Sequence, residues 1–308
     1  MRNVMKTKKL VGISTFQLQR IYGDEKALEI ASKIGADAID FDLSCCERFN
    51  CENPLSIYSK SDDEIRQYFS LLKDKAEKLG IKISQTHGRL RIYLGNPDED
   101  KIALENARLD CLATSVLGAP YCVMHSIATS VTGPDADASF MHDTCFGVYK
   151  TIIGYAKKYG VKIATETMGD SPKYGCCDFF GNLAEFKKMY DRVCAYEDNE
   201  NYFVICIDTG HCNKAMRFNN NPKPSDFIRA MGDKIKCLHL NDNNTFTDQH
   251  KIPMSGDIDW NDVVKALDEV GYDGVYNLEL NLKNFGEGLE IEMAEFAIKV
   301  MRNMLNLK

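Results

Sequence analysis

The sequence predicts a single (β/α)8 barrel of the TIM type, with residues 1–308 as one domain. Three observations carry the prediction. Short apolar runs alternate with longer amphipathic stretches along the whole length, eight such runs can be counted, and several of the stretches stop at a glycine just before the next run. Each run with its stretch reads as one βα unit, short αβ turns imply a parallel sheet, and eight units imply closure. The length of 308 residues suits this reading, since such a barrel takes about 250 residues plus loop insertions.

The strands are expected at residues 10–14, 36–41, 81–87, 121–125, 162–167, 202–208, 235–241 and 275–280. Helical stretches such as 63–79, 101–117, 146–159 and 262–270 repeat apolar residues at three- and four-residue steps. Gly80, Gly160 and Gly271 follow three of them as stop signals. No GxGxxG turn follows the first run, which argues against an open dinucleotide-binding sheet. The longer connections, 43–60, 125–140, 167–181 and 241–260, all leave the C-terminal ends of strands, where barrels carry their chemistry.

Composition narrows the function classes. Apolar residues at 44% and charged residues at 27% describe a chain that buries a large core. The net charge is -7 and the basic residues are dispersed, so the basic footprint of a nucleic-acid binder is missing. The apolar run at 10–13 is too short for a signal-peptide core, and no stretch approaches the roughly 20 apolar residues that span a bilayer. A cytoplasmic location is therefore expected. Twelve cysteines occur without CxxC spacing, and Cys122, Cys206 and Cys237 fall in strand runs, which reads as reduced thiols packed as small hydrophobes. The pairs Cys45-Cys46 and Cys176-Cys177 are weak candidates for ligands or redox groups near the mouth.

The informative feature is what stands at the strand ends. His87, His125, Glu166, Asp208, His239 and Glu279 end, or nearly end, the third to eighth strands. Inward-facing residues at the mouth of a closed barrel meet in one cavity, and carboxylates gathered there call for a cation. In Asp208-Thr209-Gly210-His211 the glycine is expected to turn the chain so that the imidazole faces the same cavity. Asp248 and His250 lie in the following loop and are expected to fold back over the site. Each of these residues taken alone reads more simply as a hydrogen-bonded or helix-capping group. Together, Glu166, Asp208, His239 and Glu279 point to a divalent metal, and their mixed oxygen and nitrogen donors suit Mn, Zn, Co or Fe better than Ca. His87, His125, His211, Asp248 and His250 are read as ligands for further ions or as hydrogen-bonding groups of the pocket. His142 is expected to be a solvated bystander. Asp259 is expected to cap a helix with Trp260 packed at its base, and Gly256-Asp257 to close over a ligand. Phe16, Tyr93, Phe179 and Phe180 are candidates for stacking on it.

Taken in order, Gln85-Thr86-His87, Val123-Met124-His125, Ala164-Thr165-Glu166, Ile207-Asp208-Thr209-Gly210-His211, His239-Leu240-Asn241-Asp242, Asp248-Gln249-His250, Gly256-Asp257-Ile258-Asp259-Trp260 and Asn277-Leu278-Glu279 resemble the xylose isomerase-like TIM-barrel superfamily, in particular its sugar phosphate isomerase and epimerase group. The resemblance runs over nearly the whole chain. It implies that Glu166, Asp208, His239 and Glu279 hold one metal that polarises a substrate carbonyl. It further implies that Glu166 and Glu279 act as general base and acid on the adjacent carbon, with His211 on a substrate oxygen. The substrate implied is a sugar, sugar phosphate or related polyol. One departure is that the loop after the seventh strand offers Asp248 and His250 where ketose epimerases place a substrate-holding arginine. The same nine positions also resemble the three-zinc site of endonuclease IV-type abasic-site nucleases, which would imply attack on a DNA phosphate. Two further readings of these residues are an inosose-type dehydratase and a non-catalytic metal-binding barrel. A homo-oligomer is expected only from the general preference of such proteins for two-fold assembly.

Overall fold

The computed structural model describes residues 9–46, 56–218 and 220–307; the basic N-terminal segment and part of the 43–60 connection lie outside them. The eight expected strands are present: β1 (Leu10–Ser14), β2 (Ala38–Asp42), β3 (Lys82–His87), β4 (Tyr121–Met124), β5 (Lys162–Glu166), β6 (Phe203–Asp208), β7 (Ile235–His239) and β8 (Val275–Leu278). Every neighbouring pair is parallel, and the order runs β8-β1-β2-β3-β4-β5-β6-β7. The ring closes just past the ends of β7 and β8. There the Leu240 N–H donates to the Asn277 carbonyl at 2.8 Å and the Glu279 N–H to the Leu240 carbonyl at 3.1 Å. The fold is an α/β TIM barrel.

The helices form for reasons written locally. Asp62–Lys78 opens on a capping box, with Ser61 Oγ accepting from the Glu64 N–H at 3.3 Å and Glu64 Oε2 accepting from the Ser61 N–H at 3.0 Å. Acids fill its first turn and Lys75 and Lys78 its last, in line with the helix dipole. Pro97–Leu117 starts at the Asn96 cap with proline in its first turn, ahead of the expected residue 101. Ala138–Tyr159 likewise starts before residue 146, because the Asp137 side chain caps it and Met141, His142 and Cys145 extend its buried face. The expected glycine stops hold: Gly80, Gly160 and Gly271 have φ of 70°, 70° and 71°, a conformation that side chains disfavour. None of the described helices is long and apolar enough to cross a membrane.

Strand alternation then sorts the side chains. Ile39, Phe41, Ile163, Phe203, Ile205, Ile207, Tyr276 and Leu278 join the main core between barrel and helices. Val123, Ala164, Val204, Cys206 and Cys237 form a separate small-residue cluster inside the barrel. Cys122, Cys206 and Cys237 are buried free thiols, as expected. Towards the C-terminal end the inner face turns polar, with Asp40, Asp42, Gln85, His87, Glu166, Asp208, His239 and Asn277 all buried. That polar layer floors the mouth.

Candidate active site

Glu166, at the end of β5, is the hub of the mouth. Its Oε2 lies 3.1 Å from His125 Nε2, 3.2 Å from His239 Nδ1 and 3.4 Å from His87 Nε2, while its Oε1 lies 3.4 Å from His211 Nδ1. Glu279, just beyond β8, approaches two of the same ring nitrogens, His239 Nδ1 at 3.5 Å and His87 Nε2 at 3.8 Å, and also His250 Nδ1 at 3.7 Å. Asp208 ends β6 and caps the helix Thr209–Ala215, its Oδ1 accepting from the His211 N–H at 2.6 Å and its Oδ2 from Asn241 Nδ2 at 2.8 Å. The capping role and the place in the cluster are thus both real. All nine donors picked out in the sequence are brought to one mouth. Seven of them, His87, His125, Glu166, His211, Asp248, His250 and Glu279, line a cavity of about 380 Å³, and Asp208 and His239 lie fully buried beneath them.

Three imidazoles are aimed by hydrogen bonds from one ring nitrogen, two of them to backbone carbonyls. His239 Nε2 is 2.7 Å from Asp40 Oδ2, an anchor that leaves Nδ1 facing Glu166 and Glu279. His211 Nδ1 donates to the Thr167 carbonyl at 2.9 Å and His250 Nδ1 to the Glu279 carbonyl at 3.1 Å. These bonds turn both Nε2 atoms to Asp248 Oδ2, at 3.7 Å and 3.4 Å. Asp248 and His250 ride on a loop tied down by the fully buried Asp242. Its carboxylate accepts from the backbone of Asn243 at 2.9 Å, Gly256 at 2.9 Å and Ile258 at 3.2 Å, and from the Trp260 indole at 2.8 Å. Asp259 caps the next helix and Trp260 is buried at its base, as expected.

The donor atoms fall into sets that lie within 4.8 Å of one another: Glu166, Asp208, His239 and Glu279; His87, Glu166 and His239; and His211, Asp248 and His250. Both oxygens of Glu166, His239 Nδ1 and His125 Nε2 are buried without a hydrogen-bond partner. Leaving such atoms unpartnered is costly, so this set fits a divalent cation. Without one, protons supply the positive charge. Burial works against a charged His87, yet the adjacent carboxylates of Glu166 and Glu279 prevail and raise its pKa to about 9. His250 is raised to about 9 against the same burial by Asp248 and Glu279. Burial also opposes ionisation of Glu166, but His239 and His125 hold its carboxyl well below the usual range.

Several expectations need correction. His142 is not solvated: the longer helix buries it, Nε2 sits 2.6 Å from Glu185 Oε2, and its ring packs against Phe179 and Phe180. Those two phenylalanines therefore pack locally, as does Tyr93 on Phe140, while Phe16 lines the cavity. Cys176 and Cys177 pair with Asp170 and Ser171 in a short antiparallel hairpin and do not line the mouth. Gly256 sits on Asp242 instead of closing over the cavity. Gly210 has no positive φ; it is needed because Asn241 crosses it so closely that a Cβ would meet Oδ1 at 2.0 Å. Sequence reasoning missed Asp40 and Asp42, the latter buried on the cavity wall, although Asp40-Phe41-Asp42 shows the same polar alternation at a strand end as the other strands.

The profile of the xylose isomerase-like TIM barrel family matches residues 28–304. Among curated proteins, the chain is 23% identical over 185 residues to the uncharacterized protein y4fM of Sinorhizobium fredii, covering 60% of this chain and 54% of that one. It is 30% identical over 140 residues to the uncharacterized protein MJ1311 of Methanocaldococcus jannaschii, covering 44% and 43%. The aligned region thus spans about half the length of these relatives. Solved structures of similar shape include a D-tagatose 3-epimerase-like protein (TM-score 0.70, 21% identity, 96% of this chain and 97% of that one). The D-psicose 3-epimerase of Clostridium cellulolyticum H10 with D-tagatose has a TM-score of 0.69 at 18% identity, covering 96% and 99%. The 3-keto-D-glucoside 4-epimerase YcjR of E. coli has a TM-score of 0.68 at 12% identity, covering 97% and 100%. At these identities the likeness is one of fold, and the match of the family profile over most of the sequence is what decides membership: the chain belongs to the xylose isomerase-like TIM-barrel family.

Proposed function

We propose that this protein is a metal-dependent isomerase or epimerase of a sugar or related polyol. The observation that carries the reading is the approach of two glutamates from separate strands, Glu166 and Glu279, to one imidazole nitrogen at 3.2 Å and 3.5 Å in a cavity of about 380 Å³. That volume suits a small ligand. The sugar epimerases among the structures of similar shape support the same substrate class. Glu166, Asp208, His239 and Glu279 would hold the ion, with Mn, Zn, Co or Fe suited to the donor set. When bound, it polarises a substrate carbonyl and lowers the cost of removing the proton on the neighbouring carbon. Glu166 and Glu279 move that proton: a carboxylate oxygen of one takes it as the C–H bond breaks, and the other glutamate returns a proton from the opposite face. His211, its Nδ1–H fixed on Thr167 and its Nε2 beside Asp248 on the cavity wall, would hydrogen-bond a substrate oxygen through Nε2.

The test is exchange of solvent deuterium into a panel of ketoses, sugar phosphates and inososes by the metal-loaded protein. Exchange beside the carbonyl is expected, reduced by about 10²–10⁴-fold or more in Glu279→Gln. A panel without exchange at full metal occupancy contradicts the reading. A second reading rests on the outer set His211, Asp248 and His250, which together with His87 and His125 around Glu166 offers donors for more than one ion. Such a centre suits phosphodiester hydrolysis of the endonuclease IV type. The net charge of -7 counts against a DNA substrate, and cleavage of abasic duplex DNA at rates comparable to sugar conversion would reverse the order of the two readings.

A further inference from the structure

The outer set differs from the inner one in having a fixed positive charge beside it. Lys214 lies one helical turn after His211 and is 4% exposed. Its Nζ is 2.8 Å from Asp170 Oδ1 and 3.4 Å from Asp248 Oδ1. The other oxygen of Asp170 is paired with Arg217 at 2.5 Å. Two cations thus face two carboxylates. Arg217 answers the second oxygen of Asp170, so the charge of Lys214 is shared between Asp170, its nearer partner, and Asp248. Among the described residues no lysine or arginine pairs with Glu166, Asp208 or Glu279, whose ionic neighbours are all histidines.

We propose that Lys214 is the built-in cation of the outer set, so that the mouth takes up metal in a fixed order, the inner carboxylate set first and His211, Asp248 and His250 weakly and last. A divalent ion at the outer set would sit between His211 Nε2, His250 Nε2 and Asp248 Oδ2, with the ammonium of Lys214 on the far oxygen of the same carboxylate. Like charges a few ångströms apart repel, and the buried lysine already supplies part of what an ion would give the half-exposed Asp248. The inner carboxylates have no such substitute. Lys214 is therefore a positioning residue: it holds Asp248 over the mouth and keeps its outer ion exchangeable. The inference rests on the metal-binding part of the proposed function and not on the reaction.

The experiment is titration of the chelator-stripped full chain with Mn²⁺, read by equilibrium dialysis with metal analysis and by Mn²⁺ EPR, without substrate. The wild type is expected to bind one ion tightly and a further ion at least about tenfold more weakly. Lys214→Met, which removes the charge and keeps the stem, should tighten the weak ion by about tenfold or more and leave the tight one unchanged. Lys214→Arg should behave as the wild type, and adding His250→Ala to Lys214→Met should abolish the gain, placing it at the outer set. Arg217 keeps Asp170 paired in these variants, and Lys214→Gln provides a second charge removal should the methionine variant misfold. Equal affinities in the wild type, or a weak ion left unchanged or loosened by both charge removals, overturns the inference. Absence of the tight ion, by contrast, defeats the proposed function, and absence of sugar turnover leaves the titration unaffected.

Discussion

At the scale of single residues, the mouth depends on groups that never touch a ligand. Asp40 holds His239 by Nε2 and so decides which nitrogen faces Glu166. Loss of such an anchor characteristically weakens metal binding by about 10–100-fold, so Asp40→Asn is expected to show that loss in a metal titration with the fold intact. Unaltered affinity would mean that packing alone aims the ring. The metal-free protein should also carry a pH signature. His87 is raised from the ordinary 6.5 to about 9, the gain from Glu166 and Glu279 exceeding the opposing burial. A raised pKa in the folded state gives stability that is complete below about 6.5 and is lost as pH rises through about 9. Thermal unfolding of the chelated protein should therefore fall to lower temperature between those pH values, more than that of the metal-loaded protein. His87, His125, Glu166, Asp208, His239 and Glu279 were legible in the sequence because each stands at or next to a strand end, where alternation and topology fix its direction. The burial of His142 was not, since its partner Glu185 lies on another element and leaves no local pattern; the polar alternation of Asp40-Phe41-Asp42 was there to read, but the pairing of Asp40 with His239 was not.

At the scale of elements, the strands and most helix stops could be read from apolar rhythm and glycine, whereas the interior of the β7 loop could not. Its shape is set by Asp242, one buried carboxylate that gathers four donors over a span of eighteen residues. Sequence shows an acid in a loop; only the fold shows that it is the loop's core. Asp242→Ala leaves several buried N–H groups unsatisfied and is expected to cost at least about 3 kcal/mol. Hydrogen exchange should rise over 243–259 before the barrel strands are affected. Uniform exchange across loop and barrel would contradict this account. Gly210→Ala tests the crossing of Asn241 over the helix start: the added methyl forces Asn241 off Asp208 and should cost about 1–3 kcal/mol while loosening the inner metal.

At the scale of the whole molecule, the barrel gathers three buried or nearly buried carboxylates, Glu166, Asp208 and Glu279, in a space where they balance only against imidazolium protons or a cation. An ion bound to the folded state alone stabilises it by mass action, so chelation should lower the unfolding temperature and added Mn²⁺ or Zn²⁺ restore it. Under the proposed function the cavity walls would select the sugar, and the exchange panel tests which one. The claim beneath all of this is that the mouth is a metal centre. Its most direct test is an anomalous-scattering map from crystals grown with Mn²⁺. The account predicts a peak bounded by Glu166, Asp208, His239 and Glu279; a mouth free of anomalous density at saturating Mn²⁺, with those side chains holding only one another, would contradict it.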